Sequence, residues 1–142
     1  AIQEYGLSLS EIGTLKRGED VVREDSVIAS SETTYRKYVP RSYAYCSDTA
    51  PFPELAQWVK GVDLMYHEAT FPEELSDMAE KTFHSTTVQA ARIASEAGVG
   101  RLLVGHYSSR YPSVDFFLEE LRSVFPESYL AGDLDVVDIP QM

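Results

Sequence analysis

Residues 85–106 read STTVQAARIASEAGVGRLLVGH, in which a helical pattern leads directly into a buried strand. Between Val88 and Ala97 the apolar residues recur at helical spacing, hydroxyl side chains precede them, and Gly98 follows them. The run from Arg101 to Gly105 then has the apolar composition of a strand. Strands that alternate with helices predict an α/β fold of stacked layers.

The alternation continues on both sides of this stretch. Further strands are predicted over residues 42–47 and 62–66, with short β pieces over residues 129–130 and 134–139. Helices are predicted over residues 54–60, from Pro72 onward, and after Ser113, whose hydroxyl would cap the last of them. The first forty residues look irregular and predict only a hairpin of residues 20–23 and 26–29, followed by a loop over residues 30–41.

The composition is that of an acidic globular chain. Twelve basic against 23 acidic residues give a net charge of −11, which repels polyanions and, taken alone, argues against a nucleic-acid-binding module. No run approaches the roughly 20 apolar residues that span a bilayer, and no charged-then-apolar leader opens the chain. The single Cys46 fits a reducing compartment. We therefore expect a cytoplasmic protein without a membrane partner.

Polar side chains cluster where the predicted strands end. Asp48, the pair His67-Glu68 and His106 each follow a strand, and His84 stands just before a helix. Sites in α/β sheets gather where strands give way to loops, so these side chains could face one crevice. Aspartate and histidine are zinc ligands, and a histidine beside a glutamate is a pairing used for acid or base catalysis.

Each of these residues also has a purely structural explanation. Asp48 could form the turn of Asp-Thr-Ala-Pro, and His84 could sit in the capping region of its helix. A lone His106 at a strand end is more often a surface histidine. Glu68 could be a solvated charge, and Arg110 could pack at a rim. Spacing alone leaves both interpretations open.

Four motifs, in their order and spacing, resemble ribonuclease Z, the tRNA 3′-processing endonuclease of the metallo-β-lactamase superfamily. They are SDT at 47–49, HEAT at 67–70, HST at 84–86 and GHYSSRY at 105–111. An Asp-Thr at a strand end is common across the superfamily, whereas HEAT and HST together mark the ribonuclease Z branch. The likeness runs from about Tyr5 nearly to the C-terminus.

The resemblance implies a role for each matching residue. Asp48 would bridge two metal ions, and His106 would be the last histidine ligand to one of them. His84 would be the general acid that protonates the departing 3′ oxygen, and Glu68 would orient it.

The resemblance also implies substrate contacts and partners. Arg110, and with it Ser108, would contact a substrate phosphate, which is a weaker transfer than the metal and acid roles. Pre-tRNA would be the substrate and a homodimer the assembly. Two zinc ions would occupy a complete site, with manganese as an alternative.

One departure from the family decides the predicted domain organisation. The superfamily's main metal motif, His-x-His-x-Asp-His, is absent, because the three histidines at 67, 84 and 106 lack that spacing. Residues 1–142 are therefore expected to be the C-terminal half of the domain: one mixed sheet with helices on its outer face, half of an αββα sandwich. Two ligands of about seven cannot close a zinc site, so little or no metal binding is expected from this chain alone.

Two further hypotheses compete with the nuclease. The whole protein could be another superfamily phosphodiesterase or hydrolase, or this chain could be a non-catalytic half-domain that pairs with a partner. The acidic charge does not decide against tRNA, because the family's basic tRNA-binding arm lies upstream of the matching segment. Any half of such a sandwich should also leave an apolar sheet face uncovered and prone to dimerise.

Overall fold

A computed structural model describes residues 2–34 and 40–139 of the chain. The chain divides into two compact units, Ala1–Val39 and Pro40–Met142. Residues 35–39 of the predicted loop lie outside the described residues. Within the described ranges, no helix has both the length and the apolar character needed to cross a bilayer.

The first unit contains three short helices and a hairpin. Its elements are α1 (Ile2–Tyr5), α2 (Leu9–Lys16), β1 (Val21–Val22), β2 (Val27–Ile28) and α3 (Ser30–Thr33). The predicted hairpin is confirmed, since β1 and β2 pair antiparallel. The start of the predicted loop is wrong, because residues 30–33 form α3, in which Thr33 and Thr34 hydroxyls bond to carbonyls four residues back.

The second unit is a parallel sheet with helical connections. Its elements are β3 (Tyr43–Cys46), α4 (Leu55–Trp58), β4 (Leu64–Glu68), a 3₁₀ turn (Glu73–Leu75), α5 (Ser76–Thr82), α6 (Thr87–Ala97), β5 (Arg101–Gly105), α7 (Asp115–Val124) and β6 (Ser128–Leu130). The strands lie in the order β3-β4-β5-β6. The prediction of an α/β layered fold is confirmed.

The sheet differs from the prediction in one respect, because it was expected to be mixed. All three strand pairs of this four-stranded sheet, as far as the structure describes it, are parallel. A helix lies in every connection between consecutive strands of this sheet. Such a crossover returns the chain to the end of the sheet at which the preceding strand began. The carboxyl ends therefore coincide: Cys46 is opposite His67, and Glu68 is opposite Gly105.

Helix α6 packs closely against the sheet because it presents small residues to it. Ala90, Ala91 and Ala94 have no exposed surface, and they share a core with Met65 and Leu102 of the strands. The N-terminus of α6 is closed by a capping box between Thr86 and Gln89, and Gly98 ends it at φ 62°. The predicted start and end of this helix are confirmed.

The other face of the sheet is aromatic. Successive side chains of a strand alternate between faces, so strand residues that flank the core positions point away from α6. Among them are Tyr43, Tyr45, Tyr66, Leu103 and Tyr129. Tyr45 is 64% exposed and stacks on Tyr66 with ring centroids 4.8 Å apart. We call this surface the tyrosine face.

Two predictions near the C-terminus are wrong. Residues 134–139 form no strand, and Leu134 and Val136 project into solvent with 99% and 94% of their surface exposed. Helix α7 is capped at Val114 without a side-chain bond, although the Ser113 hydroxyl does accept the N–H of Asp115 at 3.3 Å. The short β piece at 129–130 is confirmed as part of β6.

Candidate metal and proton-transfer site

Three of the predicted site residues meet at the carboxyl edge of the sheet. Asp48 follows β3, His106 follows β5, and His84 lies between α5 and α6. Each offers one potential ligand atom, and the three atoms lie within 4.8 Å of one another. Asp48, His84 and His106 therefore converge at one end of the sheet, as the strand ends predicted for Asp48 and His106.

The closest pair joins the two predicted metal ligands. His106 Nε2 lies 3.0 Å from Asp48 Oδ1, and both side chains are open to solvent. His106 Nδ1 lies 2.9 Å from the Thr70 hydroxyl, whose own proton is donated to Glu68 Oε2 at 2.7 Å. The hydroxyl must therefore accept from Nδ1–H, and Nε2 is the ring nitrogen that faces Asp48. A histidine that ligates a metal through Nε2 holds its Nδ1 proton in a hydrogen bond of this kind.

Glu68 accepts hydrogen bonds from three residues of the site and has no exposed surface. Its Oε1 accepts from His84 Nδ1 at 2.9 Å and from Ser85 N at 3.0 Å. Its Oε2 accepts from the backbone N–H and the hydroxyl of Thr70 at 3.0 and 2.7 Å. An ionised carboxylate has about four acceptor positions, and here all of them are used. The His84 proton on Nδ1 is thereby fixed, which directs Nε2 away from Glu68.

A helix-terminating turn delivers His84 to this position. Helix α5 ends at Phe83, whose left-handed backbone (φ 60°) lets the His84 N–H reach back to the Ala79 carbonyl at 2.9 Å. The His84 ring also meets the edge of Phe71 at a centroid distance of 6.3 Å. Backbone and ring contacts therefore hold the imidazole from both sides.

Strained backbone concentrates here. Asp48, Phe83 and His106 have φ values of 49°, 60° and 61°, and among the described non-glycine residues only Leu134 joins them. Residues other than glycine rarely adopt positive φ, because Cβ then crowds the neighbouring carbonyl. Such backbone outliers gather at functional sites. Two of the strained residues are the predicted ligands, and the third adjoins the predicted acid.

His67, the first residue of HEAT, lies apart from the other two histidines. It is fully buried, and its Nδ1–H donates to the Glu68 carbonyl at 2.6 Å. Its Nε2 has no hydrogen-bond partner among the described residues. Burial lowers the pKa of the imidazole, so His67 is a neutral core histidine.

The loop after β5 is anchored by the two residues that follow His106. The Tyr107 hydroxyl donates to the Val104 carbonyl at 2.7 Å and accepts the Ala131 N–H at 3.0 Å. The Ser108 N–H donates to the Thr70 carbonyl at 3.0 Å, which ties this loop to HEAT. Arg110 is exposed. The phosphate roles of Ser108 and Arg110 stay predictions.

Two residues of the matching motifs support the site although the sequence alone indicated no role for them. Thr70, the last residue of HEAT, links both histidines, and its place two residues after Glu68 is what lets it reach that carboxylate. Gly105 leaves room for the Tyr66 ring, because a Cβ there would lie 2.5 Å from the Tyr66 hydroxyl oxygen.

The residues present fit part of a metal site. Two ligand bonds of about 2.0–2.2 Å each span the separation of the Asp48 and His106 atoms at a single ion, since those atoms are 3.0 Å apart. One carboxylate and one oriented imidazole suit zinc and related metals. They are fewer than the three or four protein ligands of a closed site.

A parallel sheet with helical connections and a cluster at its carboxyl edge that could hold a metal ion suggest a class of protein that a comparison with known families can test. Residues 31–107 match the family model described as a Beta-lactamase superfamily domain, which is more than half of the chain. The chain belongs to the β-lactamase superfamily.

Within that superfamily the chain is similar to ribonuclease Z. It is 46% identical over 130 residues to ribonuclease Z of Bacteroides fragilis strain YCH46, covering 91% of the chain and 43% of the relative. It is 48% identical to ribonuclease Z of Cytophaga hutchinsonii, covering 89% of the chain and 41% of the relative. It is 44% identical to ribonuclease Z of Porphyromonas gingivalis W83, covering 98% of the chain and 46% of the relative. The predicted resemblance is confirmed, and the chain spans less than half the length of these relatives.

Solved structures agree on the fold. The short form of human tRNase Z gives a TM-score of 0.58 at 26% identity, covering 81% of this chain and 37% of that one. A long form RNase Z from yeast gives 0.54 at 27% identity, covering 64% and 12%. A metallo-beta-lactamase fold protein of Bacillus subtilis gives 0.59 at 24% identity, covering 63% and 36%.

Proposed function

We propose that the whole protein is a zinc-dependent endonuclease that removes the 3′ trailer of pre-tRNA, and that this chain supplies the C-terminal part of its active site. The observation that carries the proposal is the convergence of a metal-binding pair and a proton-donating pair. Asp48, His106 and His84 place their ligand atoms within 4.8 Å, and Glu68 holds His84.

In this proposal the two pairs divide the chemistry. Asp48 and His106 hold metal, two zinc ions in the complete site with manganese as an alternative. When bound, such ions supply a nucleophile at neutral pH and stabilise charge on the phosphate. His84 Nε2 donates a proton to the 3′ oxygen as its bond to phosphorus breaks, and Glu68 stabilises the imidazolium before that transfer. Ser108 and Arg110 contact the phosphate.

Two features support a half-domain. The chain matches 41–46% of the length of the relatives named above, and Tyr43, Tyr45 and Tyr129 of the tyrosine face are exposed to solvent. We propose that the remaining ligands, in His-x-His-x-Asp-His, belong to another half that covers this face. A basic tRNA-binding surface must also lie outside this chain, whose net charge is −11. We also propose that the whole protein is a homodimer and is located in the cytoplasm.

The decisive experiment uses the full-length protein and a pre-tRNA with a 3′ trailer. His84→Ala should slow trailer release by about a hundredfold or more, because the leaving oxygen loses its proton donor, while zinc content stays unchanged. Asp48→Ala should instead lower zinc content together with activity. Normal cleavage by His84→Ala would contradict the proton-transfer role. A wild-type protein that cleaves generic phosphodiesters but not the trailer would contradict the substrate.

A further inference from the structure

A second cavity opens beside His84. It has a volume of about 390 Å³, and its lining includes His84 together with Ser76, Asp77, Glu80, Phe83 and Gln89. Of these residues, only His84 has a role in the proposed function. The other five lie in or next to α5 and α6, the two helices that flank the histidine, and Ala50 and Pro51 of the loop after β3 complete the lining.

Phe83 is an unexpected residue at this position. The turn that ends α5 needs a left-handed backbone, for which glycine is the usual choice and a bulky side chain is unfavourable. Yet residue 83 is phenylalanine, with φ 60° and 76% of its surface exposed. Neither the turn nor core packing requires an aromatic ring here. An exposed ring kept at a strained position beside a proton donor indicates a surface for binding.

The charges of the cavity restrict what can bind there. Asp77 and Glu80 are exposed carboxylates in its lining, so they repel a phosphate. They and Gln89 can accept hydrogen bonds from amino and ring N–H groups, and the Phe83 ring offers a flat apolar surface. A nucleobase meets these conditions, since it has a π face to stack and N–H donors at its edge.

We propose that Phe83 is the stacking platform for the base of a nucleotide that flanks the scissile phosphate. This inference rests on the proposed function, because His84 must face the leaving oxygen for its cavity to receive a neighbouring base. The nucleotide that presents this base thereby fixes the position of the cleaved bond. Asp77 and Glu80 favour bases that carry an amino group.

The test measures trailer cleavage by the full-length protein on an intact pre-tRNA. In two further substrates, one or the other nucleotide flanking the cleaved bond is abasic. Phe83→Ala should lower kcat/KM on the intact substrate about tenfold, in line with the loss of one stacked base. On one of the two abasic substrates, Phe83→Ala and wild type should have the same kcat/KM, because the base that stacks on Phe83 is missing. Phe83→Trp should keep wild-type activity, because it retains the stacking surface.

Matched variants separate binding from folding. Phe83→Gly relieves the backbone strain, so it should fold at least as stably as wild type while losing activity like Phe83→Ala. Trp58→Ala removes another exposed aromatic side chain (74% exposed) that does not line this cavity, and it should leave the activity unchanged.

The outcomes distinguish the inference from the proposed function. Equal activity of Phe83→Ala and wild type, or an equal penalty on intact and both abasic substrates, would overturn the stacking role while trailer cleavage stands. A wild-type protein that releases no trailer would overturn the proposed function and this base site with it.

Discussion

At the scale of single residues, one hydroxyl group orients two histidines, one directly and the other through a carboxylate. Thr70 donates to Glu68, which orients His84, and it accepts from His106, which fixes the tautomer of that ligand. Removing the hydroxyl leaves His106 free to place its proton on either nitrogen. It also leaves Oε2 of Glu68 with a single donor in a buried setting, which is unfavourable.

Thr70→Val should therefore weaken zinc binding by the full-length protein about 10- to 100-fold, the usual effect of losing a group that orients a metal ligand. Thr70→Ser keeps the hydroxyl and should bind zinc as wild type does. Competition with a chromogenic zinc chelator measures both. Equal affinity of the valine and serine variants would show that His106 needs no orienting partner.

His67 should make the stability of the fold depend on pH. Burial lowers its pKa from 6.5, so below about pH 6.5 the unfolded chain binds a proton that the folded chain does not. The free energy of unfolding should then fall as the pH falls, by at most about 1.4 kcal/mol per pH unit from this group. Denaturant titrations at pH 7.5 and 5.5 measure the difference.

The matched variant is His67→Asn, which keeps a donor near the Nδ1 position and cannot titrate. It should reduce the loss of stability between the two pH values, although it costs some stability at both. An unchanged pH dependence would assign the effect to other groups.

At the scale of elements, the end of β5 requires a glycine. A Cβ at Gly105 would meet the Tyr66 hydroxyl oxygen at 2.5 Å and two ring carbons at 3.0 and 3.1 Å. Gly105→Ala should destabilise the fold by about 1–3 kcal/mol, because the ring must move off the sheet. It should also weaken zinc binding, since His106 is the next residue. Thermal unfolding and the chelator assay measure the two effects.

Gly13→Ala is the matched control for that substitution. The added methyl would meet Arg17 at an ordinary 3.6 Å within α2, and alanine is the better helix former. Stability should therefore stay the same or rise. A Gly105→Ala variant as stable as Gly13→Ala would mean that Tyr66 moves without cost.

The sequence predicted elements well where pattern and turn residues agreed. Helix α6 and strand β5 carry clear periodicity and a terminal glycine, and both are found as expected. Helix α2 was missed because its apolar stripe is weak, although its capping box of Ser8 and Glu11 was visible in the sequence. The apolar residues of 134–139 suggested a strand, but no strand among residues 2–34 and 40–139 pairs with them.

The candidate site was predictable only through motif resemblance. Spacing placed Asp48, His84 and His106 near strand or helix ends, but nothing local shows that three such ends meet. That requires the order β3-β4-β5, which depends on long-range pairing. The role of Thr70 was hidden for the same reason, since its partner His106 is 36 residues away.

At the scale of the whole molecule, an incomplete ligand set should show in metal affinity. The two proposed ligands, Asp48 and His106, would hold an ion only weakly, because tight zinc sites use three or four protein ligands. We expect residues 1–142 alone to bind zinc with a Kd above about 1 µM, and the full-length protein to bind far more tightly. Calorimetry on both proteins decides this. Micromolar or tighter binding by residues 1–142 would contradict the half-domain proposal.

Because β4 lies between β3 and β5, the distance between the two proposed ligands depends on how these strands are aligned. Asp48 and His106 follow strands that never touch each other, yet their side chains come within 3.0 Å. A slip of either strand by one residue, about 3.3 Å along its axis, would separate them. Any mutation or solvent that shears the sheet should thus weaken metal binding at the proposed site before the helix content declines, so a bound spectroscopic ion would report the earliest loosening of this protein.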